Sequence, residues 1–190
     1  FSGVNNMTTL DLTSFHTHQA TDMSSMFMEM SLLTNLIMPN FDTSNVTQMY
    51  SMFNGLTSMT TLDLSHFNTS QVMSMGAMFQ NTPQLSHLNL SSFDTSQVTD
   101  MSSMFEEGMA DNSVLDLSSF DTSQVYSAYS MFSNTRSRTI FVSNSFVLDS
   151  VDEADELFSG NNNLIGGNGT AFSASNPTNK TYARIDEPGT

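Results

Sequence analysis

Polar side chains that could dock a ligand recur in this sequence at positions that alternate with leucine. In the segment Thr9-Leu10-Asp11 the central residue is apolar and both neighbours are polar, which predicts a short strand with one buried face. Similar segments follow about every 26 residues. The side chains predicted to point outward from these strands are Thr9, Asp11, Asn35, Ile37, Thr61, Asp63, His87, Asn89 and Asp116. Hydroxyl, amide and carboxylate groups in such a strip would bind a sugar or a peptide through hydrogen bonds.

Two other groupings have residue types used in catalysis or metal binding, but their spacing does not support either role. Asp63, Ser65 and His66 could make a hydrolytic triad, yet they are neighbours on one strand whose side chains alternate in direction. His16 and His18 lie close together, whereas a zinc site needs three or four converging ligands. We therefore predict no catalytic residue, no metal site and no cofactor, and the protein is not expected to be an enzyme.

Acidic residues raise the separate question of calcium. Asp11 and Asp63 lie two strand steps apart, about 9.5 Å, whereas two oxygens on one Ca²⁺ are at most about 5 Å apart. Consecutive repeats carry an acid or amide in a turn, at Asp42, Asn68, Asp94 and Asp121. This second column is the better candidate for an ion, although turns use such residues for capping in any case. A further acidic group is expected to be a solvated face: Asp149, Asp152, Glu153, Asp155 and Glu156.

The overall charge excludes several classes of partner. Four basic residues stand against 19 acidic ones, for a net charge of −15. So few basic side chains cannot neutralise nucleic-acid phosphates or an anionic membrane surface. No apolar run approaches the roughly 18–20 residues that would insert into a bilayer. The chain has no Cys, so it has neither disulfides nor thiolate metal sites.

The elements that position these side chains belong to an internal repeat. Two columns of phenylalanine advance in steps of 26, with one step of 27, and they hold 13 of the 15 phenylalanines. The columns are Phe1, Phe27, Phe53, Phe79, Phe105, Phe132, Phe158, and Phe15, Phe41, Phe67, Phe93, Phe120, Phe146. Phe1 falls in the middle of a repeat, so we expect the sequence to be a piece of a longer protein. We also expect this piece to be monomeric.

Within one repeat the apolar period changes. Leu88 and Leu90 alternate with polar residues as in a strand, whereas Val98, Met101 and Met104 are spaced as on one face of a short helix. The methionines recur beside phenylalanine, which favours core packing over copper binding. Stacked strand–turn–short-helix repeats of about 26 residues predict an α/β solenoid with a parallel sheet on one face.

The repeat also resembles known families. Leu85-x-x-Leu88-x-Leu90-x-x-Phe93 is similar to the leucine-rich repeat, with Phe in place of its buried Asn. The longer unit at 88–105, Leu-Asn-Leu-Ser-Ser-Phe-Asp-Thr-Ser-Gln-Val-Thr-Asp-Met-Ser-Ser-Met-Phe, resembles the BspA-like bacterial surface proteins. The tail at 166–170 and 181–186 is similar to the segment that closes such arrays. We expect a leucine-rich-repeat-like solenoid of about six coils at 1–158 and a C-terminal cap or linker at 159–190.

The resemblance to the BspA-like family implies a function. Its members occur on lactobacilli and related bacteria, where they are secreted, attached to the cell wall and adhere to mucus, matrix or other cells. Many carry a Cys after the Met-Phe segment, where this chain has 54–56 and 106–108 without one. The expected partners are host mucins, matrix glycoproteins or polysaccharides, bound more strongly near pH 4 than at pH 7 because carboxylates lose their charge. The alternatives are a structural spacer or self-association module and, third, an ice-binding surface.

Overall fold

The structure, a computed structural model, describes residues 1–148 and 151–164 as a stack of coils with six short strands. The strands are β1 (Thr9–Asp11), β2 (Asn35–Ile37), β3 (Thr61–Asp63), β4 (His87–Asn89), β5 (Val114–Leu117) and β6 (Thr139–Val142). The described residues contain no helix, and hence no helix long and apolar enough to cross a membrane.

The strands pair in parallel, two at a time. β1 pairs with β2, β3 with β4 and β5 with β6, each in register so that the central leucines of neighbouring coils face each other. These pairs form three separate two-stranded sheets. The predicted single parallel sheet along one side is therefore wrong.

The predicted helix over 98–105 is also wrong, because one residue in its middle has a left-handed backbone. Ser103 has φ 54° and Glu107 has φ 52°, values that a right-handed helix does not contain. The position of Ser103 is left-handed in every coil, at Ser25, Ser51, Ala77, Ser103, Ser130 and Glu156. The α/β class and the leucine-rich-repeat-like solenoid are therefore incorrect, and the described residues form an all-β stack of strands and turns.

Hydrogen bonding along the stack explains why turns replace the helix. The N–H groups of Met101, Ser103 and Phe105 donate to carbonyls of the next coil at 2.8–2.9 Å, so they are not used for helical bonds. Met104 N–H donates to Met101 C=O at 3.2 Å, which closes a turn within the coil. A ladder of single parallel bridges runs through all six coils; this bridge ladder consists of Asp22, Gln48, Ser74, Asp100, Ser127 and Glu153.

Phenylalanine and methionine fill the core between the strands and the bridge ladder, as predicted. Successive rings of the column that begins at Phe1 stack nearly parallel, with centroids 5.4–6.0 Å apart. Met49, Met75 and Met101 are fully buried beside them. Phe15 is an exception to the predicted core, since it lies in the first coil and remains 44% exposed.

Buried threonines join each coil to the next inside this core. The Thr95 hydroxyl donates to Asp121 C=O at 2.8 Å and accepts the Asp121 N–H at 2.8 Å. Thr69 makes the same two bonds to Asp94, each 2.9 Å long. We call this column the threonine ladder; it consists of Thr17, Thr43, Thr69, Thr95 and Thr122, which are 1–9% exposed. It satisfies backbone polar groups of the turn in the next coil.

The domain boundary predicted near residue 158 falls close to the limit of the described residues. Asn134 N–H donates to Ser159 C=O at 2.7 Å, so residue 159 still belongs to the stack. The rest of the predicted cap or linker, residues 165–190, lies outside the described residues, as does Asp149.

We predict that Thr95→Val lowers the free energy of unfolding by about 2 kcal/mol, since it removes both hydrogen bonds to the part-buried Asp121 N–H and C=O. Urea denaturation followed by circular dichroism measures the change. The control is Thr61→Val, an exposed strand position where the effect should stay within about 0.5 kcal/mol. Equal stability of Thr95→Val and wild type would show that the ladder does not hold the coils together.

Candidate binding face

The outward-facing strand positions form one exposed surface, which we call the strand face. The structure places all nine predicted side chains there, in two columns that flank the inward-pointing leucines. They are exposed in every case, the least being Ile37 at 36%. Their alternation with residues such as Leu10 and Leu62, which are buried, follows from the period of two along a strand.

The acids of the strand face are engaged in turns. Asp11 Oδ1 accepts the Thr13 N–H at 2.9 Å and the Thr13 hydroxyl at 2.6 Å. Asp63 Oδ1 accepts the Ser65 N–H at 3.0 Å. Asn89 and Asp116 make the equivalent bond to the residue two positions later, at 3.1 and 3.0 Å. These bonds hold the polar groups in fixed directions at the edge of each strand, which reduces the entropy lost when a ligand binds.

The same bonds favour the ionised carboxylates. The hydroxyl of Thr13, followed by its N–H, lowers the pKa of Asp11 below the usual value. The Ser65 N–H, followed by its hydroxyl, lowers the pKa of Asp63, with smaller contributions from Asn89 and His66. Asp11 and Asp63 therefore keep their negative charge to a lower pH than ordinary aspartates would.

A groove of about 720 Å³ crosses the strand face at β3, β4 and the start of β5. Thr61, Asp63, His87 and Asn89, four of the predicted residues, line it together with apolar parts of Leu62, Leu88 and Val114. The imidazole Nδ1 of His87 lies 2.9 Å from the Ser86 hydroxyl. The groove thus combines an apolar floor with hydrogen-bonding groups on its walls, as sites for small polar ligands do.

The far wall of the groove comes from residues that the sequence reasoning missed. Asp111, Asn112 and Ser113 line it, and they lie in the segment that holds the extra residue of the 27-residue step. Met109 and Asn112 have left-handed φ values of 66° and 60°, at positions where other coils do not. The insertion is absorbed here, and β4 and β5 fall into separate sheets. The longer step was the sequence signal that could have located this wall.

The arrangement lacks the geometry of a hydrolytic site. Ser65 donates its backbone N–H to Asp63 at 3.0 Å and its hydroxyl bonds to the same carboxylate, whereas the imidazole of His66 packs edge-on against the Phe67 ring at 5.1 Å. Within residues 1–148 and 151–164, no group of three or more acids and histidines is placed to hold a metal ion. The turn column considered for calcium instead caps turns. The side-chain oxygen of each of its residues accepts the backbone N–H of the serine two positions later, at 2.8–3.1 Å; the residues are Asp42, Asn68, Asp94 and Asp121.

The fold and the strand face define a repeat protein whose coils present a polar, hydrogen-bonding surface. A family model described as "Mycoplasma protein of unknown function, DUF285" matches residues 1–88 and 60–168, and the chain belongs to this family. The two matches overlap because each covers several similar coils. No curated protein and no solved structure matches the chain.

We predict that Thr13→Val raises the pKa of Asp11 toward the ordinary value of about 3.9, because the hydroxyl bond that stabilises the carboxylate is lost. An NMR pH titration of the Asp11 carboxyl carbon measures the change. Thr9→Val, which leaves the Thr13 bonds in place, is the control, and an unshifted Asp11 in Thr13→Val would contradict the assignment.

The lowered pKa of Asp11 also makes its contribution to folding stability depend on pH. Because the native pKa of Asp11 lies below the unfolded value, its contribution to stability is complete above the unfolded pKa. That contribution is lost as the pH falls through the native pKa.

Proposed function

We propose that this chain is an adhesion module of a bacterial cell-surface protein, which binds host mucin, matrix glycoproteins or polysaccharides through its strand face. The observation that carries the proposal is the groove across β3–β5, where an apolar floor is bordered by Asp63, His87, Asn89 and Asn112. The resemblance of 88–105 to the BspA-like surface proteins supports it. On this proposal the parent protein is secreted and attached to the cell wall.

Binding would depend on many weak contacts. The groove presents hydroxyl, amide, imidazole and carboxylate groups within three neighbouring coils, so a ligand can bond to several of them together. Sugar hydroxyls both donate and accept, which suits a mixture of Thr61, Asn89 and Asp63. Multiple copies on one cell would convert weak binding into firm attachment through effective concentration.

Charge makes such binding sensitive to pH. Sialylated and sulfated glycans are anionic, and a chain with net charge −15 repels them at pH 7. Protonation removes that repulsion, so binding of these glycans should strengthen as the pH falls. Because the pKa values of Asp11 and Asp63 are lowered, we expect the increase to continue below pH 4.

The direct test measures binding of the chain to immobilised mucin, fibronectin, fibrinogen and pectin between pH 3 and pH 7, with circular dichroism to confirm the fold at each pH. We expect at least one ligand to bind, and anionic glycans to bind more strongly in acid. Binding that is equal at pH 4 and pH 7 would exclude the charge mechanism. Failure to bind any of the four would favour the alternative of a structural spacer or self-association module.

We predict that the double variant Asp63→Asn with Asp116→Asn binds sulfated mucin several-fold more strongly at pH 7. Removing two screened surface charges lowers the repulsion by about 1 kcal/mol. Asparagine still accepts the turn bond, as Asn89 does at 3.1 Å. The matched control is Asp152→Asn with Asp155→Asn, which removes the same charge away from the strand face. An equal gain in both double variants would show that only net charge matters.

A further inference from the structure

A second surface of the stack exposes aromatic side chains that the strand face does not use. The bridge-ladder residues from Asp22 to Ser127 each lie 11 positions after the third residue of a strand, as Asp100 does after Asn89, and Glu153 lies 12 positions after Phe141. Beside this ladder the exposed fractions are 48% for Tyr50, 53% for Tyr126 and 45% for Tyr129. We call this surface the tyrosine face; it consists of Tyr50, Met73, Tyr126 and Tyr129. Large apolar side chains exposed together on one surface are typical of an interaction site.

Tyr50 is held beside a carboxylate. It lies over Gly76 in the next coil, where a Cβ would be 3.1 Å from Tyr50 Cδ2 and 2.9 Å from Asp100 Oδ2. The φ of Gly76 is not in the left-handed region, so the backbone does not demand glycine here. The missing side chain instead lets the Tyr50 ring and the Asp100 carboxylate approach the same point. An aromatic ring next to a carboxylate is a favourable site for a cation.

Tyr126 and Tyr129 repeat this combination in another coil. They flank Ser127, whose partners in the bridge ladder are Asp100 in the coil before and Glu153 in the coil after. Tyr126 C=O accepts the N–H groups of Asp152 and Glu153 at 3.1 and 3.2 Å, so these acids lie directly next to the tyrosine. In the following coil the positions of Tyr126 and Tyr129 are occupied by two exposed aspartates, Asp152 and Asp155.

Acidic side chains lie beside the tyrosine face, and among residues 1–148 and 151–164 no basic side chain is paired with them; they are Asp100, Asp152, Glu153 and Asp155. In the described part of the chain the basic side chains are Arg136 and Arg138, and the salt bridge there joins Arg136 to Asp111 at 3.9 Å, beside the groove. The tyrosine face therefore combines exposed rings with unpaired negative charge. That combination repels anions and attracts cations.

We propose that the tyrosine face binds a short, extended peptide rich in lysine and arginine. Its side chains would lie against Tyr50, Tyr126 and Tyr129 through cation–π contacts, and their charges would pair with Asp100, Glu153 and their neighbours. From the coil of Tyr50 to the coil of Asp155 there are four coil steps, about 19 Å at the spacing of parallel strands. An extended peptide of about six residues spans that length. This proposal does not depend on the strand face.

Fluorescence anisotropy of a labelled oligolysine peptide at physiological salt and pH 7 tests the proposal. Tyr126→Thr with Tyr129→Ser should weaken binding about tenfold, the effect of two surface cation–π contacts. Thr99 and Ser102 occupy the same two positions in another coil, so the variant is compatible with the fold. Asp152→Asn with Asp155→Asn should also weaken binding several-fold.

Matched controls separate a local site from general attraction to an acidic protein. Phe141→Asn removes an equally exposed ring from the strand face, and Asp63→Asn with Asp116→Asn removes two charges there. Both controls should change oligolysine binding less than twofold. Equal losses in the controls and the tyrosine-face variants would overturn the proposal, as would no binding of oligolysine by the wild type. The proposal would also be overturned if the wild type bound a neutral glycan but not oligolysine, and if the tyrosine-face variant lost the glycan binding.

Discussion

Each coil is held to its neighbours by hydrogen bonds that run along the stack, and the threonine ladder shows how this works inside the core. A Thr95 hydroxyl satisfies both backbone groups of Asp121, so a turn can be buried without losing its hydrogen bonds. Near the bridge ladder, the N–H groups of Met101 and Ser103 are likewise satisfied by carbonyls of the following coil. Bonds between residues 25–27 apart thus replace the local bonds of a helix. Removing one coil would leave polar groups of its neighbours unpaired, so the stability of each coil depends on the next.

Stacking by such bonds also determines the surfaces. The coils repeat a similar backbone path, so a given repeat position forms a column along the stack, and most core columns are buried along their length, with Phe15 as an exception. The strand face and the tyrosine face are columns of this kind, and each can vary in side chain without disturbing the core. The single extra residue before Val114 changes the path locally, and the groove lies there, along strands of two separate sheets.

Negative charge is shared between the two faces but has different consequences. On the strand face Asp11 and Asp63 accept turn bonds that lower their pKa, and the charge there opposes anionic glycans. On the tyrosine face Asp100 and Glu153 lie beside exposed rings, where the charge favours a cation.

The sequence alone determined the repeat, the buried phenylalanine and methionine columns and the outward direction of residues such as Thr61 and Asn89, because each follows from the spacing of apolar residues. It could not determine the path between strands, since apolar residues three and four apart suit both a helix and a series of turns. That choice depends on where Ser103 and Phe105 donate their N–H groups, which involves partners in the following coil. The threonine ladder, the wall at Asn112 and the tyrosine face were decided in the same way, by contacts between residues distant in sequence.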